Sequence, residues 1–282
     1  MRNFILRSTG DLGNMLFEWA LLRRLAGDQP SSFYWDPVGM KECELERIGL
    51  PIRRMPSSMR SLTPISSRCG LGRRIVYPFT RRMGFTLPIV SDTYSESYSR
   101  KQEYNYPSGA FVQGRFQDCS QVSEATRSEV MKAVEAQLLE KKLVPANVLG
   151  VHIRRGDYMD EYWKSRLGLL SQEYFESALQ QVAAKYEEVR IFTDSPDNDV
   201  VKRLAEKWGG KISNNSSRYE DMWEMSQCSS LIISNSTFSL WAALLGKNII
   251  QEVLVPDPWV IQDASPDLNF PPNWKWISSV WS

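Results

Sequence analysis

The sequence predicts an α/β protein built from two parallel-sheet halves, and three observations carry that prediction. Apolar runs of strand length recur at residues 4–6, 148–153, 189–193, 231–233 and 248–255. The segments between them place apolar residues at helical spacing, and strands alternating with helices make a mostly parallel sheet wrapped on both faces. The chain has 282 residues, long for one compact domain and enough for two of about 140.

The elements follow in order. Residues 4–6 form the first strand, residues 8–14 are turn-rich, and apolar spacing resumes at Leu16, Ala20 and Leu21. From 47 to 91 the pattern weakens, and that stretch holds nine arginines with no lysine, aspartate or glutamate. A loop with Tyr94, Tyr98, Tyr104 and Tyr106 comes next. Val130, Val134 and Leu138 predict a helix over 129–143, stopped by Pro145-Ala146-Asn147. After the strand 148–153, a helix from Gln172 repeats Phe175, Leu179, Val182 and Tyr186 on one face. The strand 189–193 leads to Asp194 and a helix carrying Val201, Leu204 and Trp208. The strand 231–233 runs into Ser234-Asn235-Ser236-Thr237 and a helix over 238–245, and 248–255 closes the series as a strand. The domain boundary is expected near Pro145, giving halves 1–145 and 146–282.

Composition narrows the function. With 34 basic and 33 acidic residues the net charge is +1, so nothing global recruits nucleic acid. The longest apolar run, 240–246, is far short of a membrane span, and 4–6 is too short for a signal peptide core. Four cysteines without C-x-x-C spacing read as reduced thiols of a cytoplasmic protein. There is one histidine, His152, so serine triads and multi-histidine metal sites pass through it or do not exist.

Ligands of open parallel sheets bind beyond the carboxyl ends of the strands, and candidate clusters sit at such ends. In Val151-His152-Ile153-Arg154-Arg155-Gly156-Asp157-Tyr158, alternation puts His152 and Arg154 on one face and Arg155 on the other. One arginine can fork onto a diphosphate while the second pairs with a carboxylate such as Asp157. Ser234 to Ser239 place hydroxyls and main-chain N–H groups at a helix start, which suits a phosphate or an ordinary N-cap. Gly10-Asp11-Leu12-Gly13-Asn14 allows close backbone approach but lacks dinucleotide or P-loop spacing. Asp194 and Asp197-Asn198-Asp199 offer a divalent-metal pattern; capping of the next helix by Asp197 or Asp199 is the favoured reading. The arginine-rich stretch shows no helical spacing and little aromatic interleaving, which speaks against a nucleic-acid face.

In this order, the clusters resemble the α-1,2-fucosyltransferase family. Gly10 to Phe17 is similar to its G-x-x-G-N-x-x-F, His152 to Tyr158 matches H-x-R-R-G-D-Y in full, and Ser234 to Trp241 matches S-N-S-[ST]-F-S-x-W. Asp221 to Ser226, Phe192 to Ser195, Val255 to Trp259 and, more loosely, Phe111 to Phe116 resemble further motifs. Asp11 and Met15 stand where the family pattern has glycine and glutamine. The resemblance implies a GT-B-like fold, two Rossmann-like domains facing across a cleft, with the donor GDP-fucose on the C-terminal one and the acceptor largely on the other. It implies inverting transfer of L-fucose to the 2-hydroxyl of a terminal galactose, without a metal or other cofactor.

Arg154 is expected on the β-phosphate, and Asn235, Ser236, Thr237 and Phe238 at the diphosphate or guanosine. His152, Gly13 and Asn14 are expected to line the donor pocket, and Asp194 to meet guanine or ribose. Arg155 and Asp157 are expected as a supporting ion pair, Asp157 also being the candidate base. The expected acceptor is a galactose-terminated oligosaccharide or lipid-linked glycan, met in the cytoplasm, with the arginine-rich stretch as a candidate peripheral contact with the inner membrane. An α-1,6 linkage, a metal-dependent transferase using D-x-D, and a non-catalytic sugar-nucleotide- or glycan-binding protein stand as alternatives.

Overall fold

The computed structural model describes residues 2–8, 10–38, 41–63, 82, 87–91, 108–140, 144–261 and 268–282. Residues 64–81 and 83–86 of the arginine-rich stretch, the four tyrosines at 94–106 and Cys69 lie outside them. Two compact units, Met1–Glu129 and Val130–Ser282, each have a parallel sheet, as the α/β expectation requires.

In the first unit the order is β3-β2-β1-β5-β4, with β1 Arg2–Leu6, β2 Ser31–Trp35, β3 Ile52–Arg54, β4 Ile89–Ser91 and β5 Gly109–Gln113. Helix α1 (Leu12–Ala26) follows β1, and α2 (Glu44–Arg47) precedes β3. Asp11 caps α1 by accepting the Leu12 amide at 2.9 Å, which accounts for an aspartate at that position.

The units divide inside helix α3 (Glu124–Glu135), earlier than the boundary expected near Pro145. Ser123 Oγ accepts the Thr126 amide at 3.1 Å and starts this helix ahead of residue 129. Val130, Ala133 and Val134 are buried, whereas Leu138 is only half-buried and Leu139 is exposed. The apolar face is therefore fully covered only as far as Val134, and the helix ends at Glu135.

The second unit orders its strands β11-β10-β9-β6-β7-β8: β6 Val148–Ile153, β7 Glu188–Thr193, β8 Lys211–Ile212, β9 Ser230–Ile232, β10 Glu252–Asp257 and β11 Lys275–Ser278. The helices are α4 Glu161–Leu167, α5 Gln172–Val182, α6 Asp199–Trp208, α7 Arg218–Gln227 and α8 Thr237–Leu245. β10 begins later than expected because the Gly246 carbonyl accepts the Ile249 and Ile250 amides, both at 2.8 Å, and turns the chain first. β6 is buried along its whole length. Leu149, Val151 and Ile153 pack on one side with Tyr174, Phe175 and Leu179 of α5 and Val201 and Leu204 of α6. Strand alternation thereby sends His152 to the opposite side.

Among the described residues, Cys43, Cys119 and Cys228 are buried free thiols, and burial pushes the Cys228 thiol up to about 12. No helix of the described residues is long and apolar enough to cross a membrane.

Candidate functional site

The second sheet reverses its winding between β6 and β9: β7 and β8 extend one side, β10 and β11 the other. Ligands of such sheets bind at the carboxyl ends of the strands flanking this switch point. Two sequence motifs meet there. His152 Nδ1 lies 2.7 Å from Ser234 Oγ, and the Tyr158 hydroxyl donates to the Asn235 main-chain carbonyl at 3.1 Å. The His152 and Phe238 ring centroids are 5.8 Å apart.

Burial, with a smaller push from Arg154, lowers the His152 pKa from 6.5 to about 3. The imidazole is therefore neutral at physiological pH and hydrogen-bonds without carrying charge. Because the unfolded chain takes up this proton near 6.5 and the folded chain only near 3, stability rises with pH across that window and is flat above it. The chain has one histidine, so proton NMR reads it directly. Its ring resonances are expected to stay unshifted from pH 8 to pH 5; a midpoint inside that range would contradict the buried neutral assignment.

Arg154 is held by two carboxylates. Its Nη2 is 2.6 Å from Asp157 Oδ1 and its Nη1 2.7 Å from Asp194 Oδ2, and its guanidinium lies over the Tyr158 ring at 5.4 Å. The expected Arg155–Asp157 pair is not formed. Arg155 turns inward, almost fully buried, and its Nη1 donates to the carbonyls of Arg154 at 3.0 Å and Leu170 at 2.9 Å. Gly156 explains the change of partner: its φ of +27° redirects the chain, and Asp157 comes back over Arg154, three residues before it.

Asp194, expected at guanine or ribose, anchors this turn. Its Oδ1 accepts the Arg155 amide at 2.9 Å and the Ser195 hydroxyl at 3.3 Å, while Ser195 Oγ accepts the Gly156 amide at 3.1 Å. A Cβ on residue 156 would stand 2.5 Å from Asp194 Oδ2. Gly156→Ala is therefore expected to cost about 1–2 kcal/mol, from a positive φ and a displaced carboxylate. Chemical denaturation measures it, and a change within 0.5 kcal/mol, the ordinary surface range, would contradict it.

On the β9 side, Asn235 spends its amide on the carbonyls of Leu167 at 2.9 Å and Gly168 at 3.2 Å, bracing the end of α4. Ser236 is the N-cap residue of α8, yet its hydroxyl caps no amide. Thr237 and Phe238 open that helix. In the D-x-D segment the cap is Asn198, accepting the Val200 amide at 3.0 Å, and not either aspartate; Asp197 pairs with Lys202 at 3.2 Å. The described residues hold no group of three or more His, Cys, Asp and Glu placed to hold a metal ion.

Gly13 and Asn14 lie on α1 of the first unit, where Asn14 Oδ1 accepts from Gln117 Nε2 at 2.7 Å. The same unit holds buried charged residues that sequence reasoning missed, Arg7 after β1, Asp36 after β2 and Glu18 within α1. Arg7 donates to Asp36 Oδ2 from Nε at 3.0 Å and from Nη2 at 2.6 Å. Glu18 is fully buried, so its carboxyl is raised well above the carboxylate range, and a hydrogen bond from Ser8 opposes this only in part. Their partners are remote in sequence; the one local hint is a glutamate between Phe17 and Trp19.

A family model described as Glycosyl transferase family 11 matches residues 91–278. An alpha-1,2-colitosyltransferase of Escherichia coli is 24% identical, across 97% of this chain and 97% of its own length. A galactoside alpha-(1,2)-fucosyltransferase 1 of Leontocebus fuscicollis is 28% identical across 49% of this chain and 41% of its own. Among solved structures, the fucosyltransferase NodZ from Bradyrhizobium is similar in fold, with a TM-score of 0.51 and 15% identity over 87% of this chain and 93% of that one. At that identity the likeness concerns the fold, and it supports a GT-B-like class with two Rossmann-like units.

Proposed function

The chain belongs to glycosyl transferase family 11, and on that premise we propose that it moves L-fucose from GDP-β-L-fucose to the 2-hydroxyl of a terminal galactose, inverting the anomeric carbon. The observation that carries this reading is the direct bonding of His152 and Tyr158 to Ser234 and Asn235 at the β6/β9 switch point. As the anomeric bond stretches, negative charge grows on the leaving diphosphate. Arg154 is the guanidinium at the strand end able to fork onto two phosphate oxygens. Main-chain groups of Ser236, Thr237 and Phe238 at the α8 N-terminus complement the remaining charge. Both act most strongly in the transition state, where that charge is largest. His152, neutral and bonded to Ser234, walls the donor pocket. Asp157 is engaged with Arg154, and we assign it no role as base.

The donor assignment is supported by the solved fold neighbour NodZ, an alpha-1,6-fucosyltransferase whose crystal was soaked with GDP-fucose. The acceptor assignment is supported by the galactoside relatives. We place the reaction in the cytoplasm, on a lipid-linked surface polysaccharide unit, with the protein in peripheral contact with the membrane. We also propose that no metal takes part, since Arg154 and the α8 N-terminus meet the leaving charge.

The full-length likeness to an alpha-1,2-colitosyltransferase favours one second reading: a donor sugar that is fucose without its 3-hydroxyl. GDP release from both donors, with and without a galactose-terminated disaccharide and with and without EDTA, tests these readings. Acceptor-dependent release from GDP-fucose that ignores EDTA, giving an α-1,2 product, is the expected result. Preference for the 3-deoxy donor would support the second reading. An α-1,6 product, loss of activity in EDTA, or intact donor after long incubation would each overturn the proposal.

A further inference from the structure

The charges around Arg154 do not favour a diphosphate as they stand. Arg154 and Arg155 contribute two positive charges, Asp157 and Asp194 two negative ones, and His152 is neutral. A ligand carrying about two negative charges therefore meets a site with no net charge beyond the partial charge of a helix N-terminus, about half a unit. One carboxylate has to leave Arg154, and the two are not equivalent. The Asp194 side chain is 25% exposed and tied as well to the Arg155 amide and the Ser195 hydroxyl. The Asp157 side chain is 52% exposed, and Arg154 is its one side-chain partner among the described residues. The Gly156 amide is fixed on Ser195, so Asp157 can swing into solvent by side-chain rotation without unwinding the turn.

We propose that Asp157 competes with the donor's diphosphate for the Arg154 guanidinium: donor binding opens the Arg154–Asp157 pair, its re-formation helps expel GDP, and Asp194 holds Arg154 in both states. Asp157 is thus a release-promoting residue and Asp194 a positioning residue. The inference rests on the reading that Arg154 binds the diphosphate.

The test is GDP binding to the full chain by titration calorimetry, together with GDP product-inhibition constants. The variants are Asp157→Asn, Asp157→Ala, Asp194→Asn and Arg154→Ala. Both Asp157 variants are expected to bind GDP about three- to fivefold tighter, the effect of removing one exposed ion pair. Product inhibition is expected to strengthen in parallel. Asp194→Asn is expected to bind GDP more weakly. Mere structural damage would not tighten binding. If Arg154→Ala binds GDP as wild type does, the donor reading falls and this proposal with it. If Arg154→Ala loses GDP while both Asp157 variants bind it no tighter than wild type, the proposal alone is overturned.

Discussion

Arg154→Ala is expected to lower the rate of fucosyl transfer about 10²- to 10³-fold, the usual effect of removing one preorganised group that stabilises transition-state charge. Little of that loss should come from unfolding. The Arg154 side chain is 26% exposed, and the carboxylates it leaves behind both reach solvent. An exposed ion pair contributes about 0–1 kcal/mol. Arg154→Lys keeps the charge but loses the two-pronged donor geometry, and should fall between the two. Initial rates of GDP release at saturating donor and acceptor measure this. Rates within tenfold of wild type for Arg154→Ala would remove Arg154 from the reaction.

Its neighbour should behave in the opposite way, through stability. Arg155→Ala is expected to cost about 3 kcal/mol, because it leaves a cavity and takes the donor from two carbonyls, that of Leu170 buried and that of Arg154 partly so. Arg155 is 1% exposed, bonded to the Arg154 and Leu170 carbonyls, and its guanidinium lies 5.7 Å from the centre of the Phe175 ring. Burial, opposed in part by Asp194, lowers its pKa from 12.5 to about 10. Nη2 finds no partner among the described residues, so the cation is incompletely compensated. Arg155→Met is therefore expected to be milder than Arg155→Ala, since an apolar side chain of similar length fills the space without a buried charge. Thermal unfolding should show a fall of about 6–12 °C for alanine, at about 2–4 °C per kcal/mol. A fall under 2 °C would contradict the structural role.

How much of this was legible in the sequence depends on how local each signal is. Alternation along β6 separates Arg154 from Arg155 because the strand is buried on both sides and each residue must choose one. Motif placement put the candidate clusters at strand ends, since the chemistry-bearing residues follow β6, β7 and β9; that β6 and β9 flank the switch point is read from the sheet order. The partner of Asp157 was not legible, because it depends on the backbone angle of Gly156. Nor was the bracing role of Asn235, whose acceptors at Leu167 and Gly168 belong to a distant turn. β8 and β11 carry little signal: they are two and four residues long, with exposed lysines at Lys211 and Lys275 on the rim of the sheet. Arg7 with Asp36, and Glu18 with Ser8, are pairings that only the folded first unit creates.

The cross-bonding of His152 to Ser234 and of Tyr158 to Asn235 has a consequence for chimeras. The two segments are a single recombination unit although 82 and 77 positions separate the bonded residues. A crossover point placed between them would pair each loop with a partner shaped in another protein. Shuffled libraries that exchange 152–158 together with 234–238 should yield more functional members than libraries that exchange either alone.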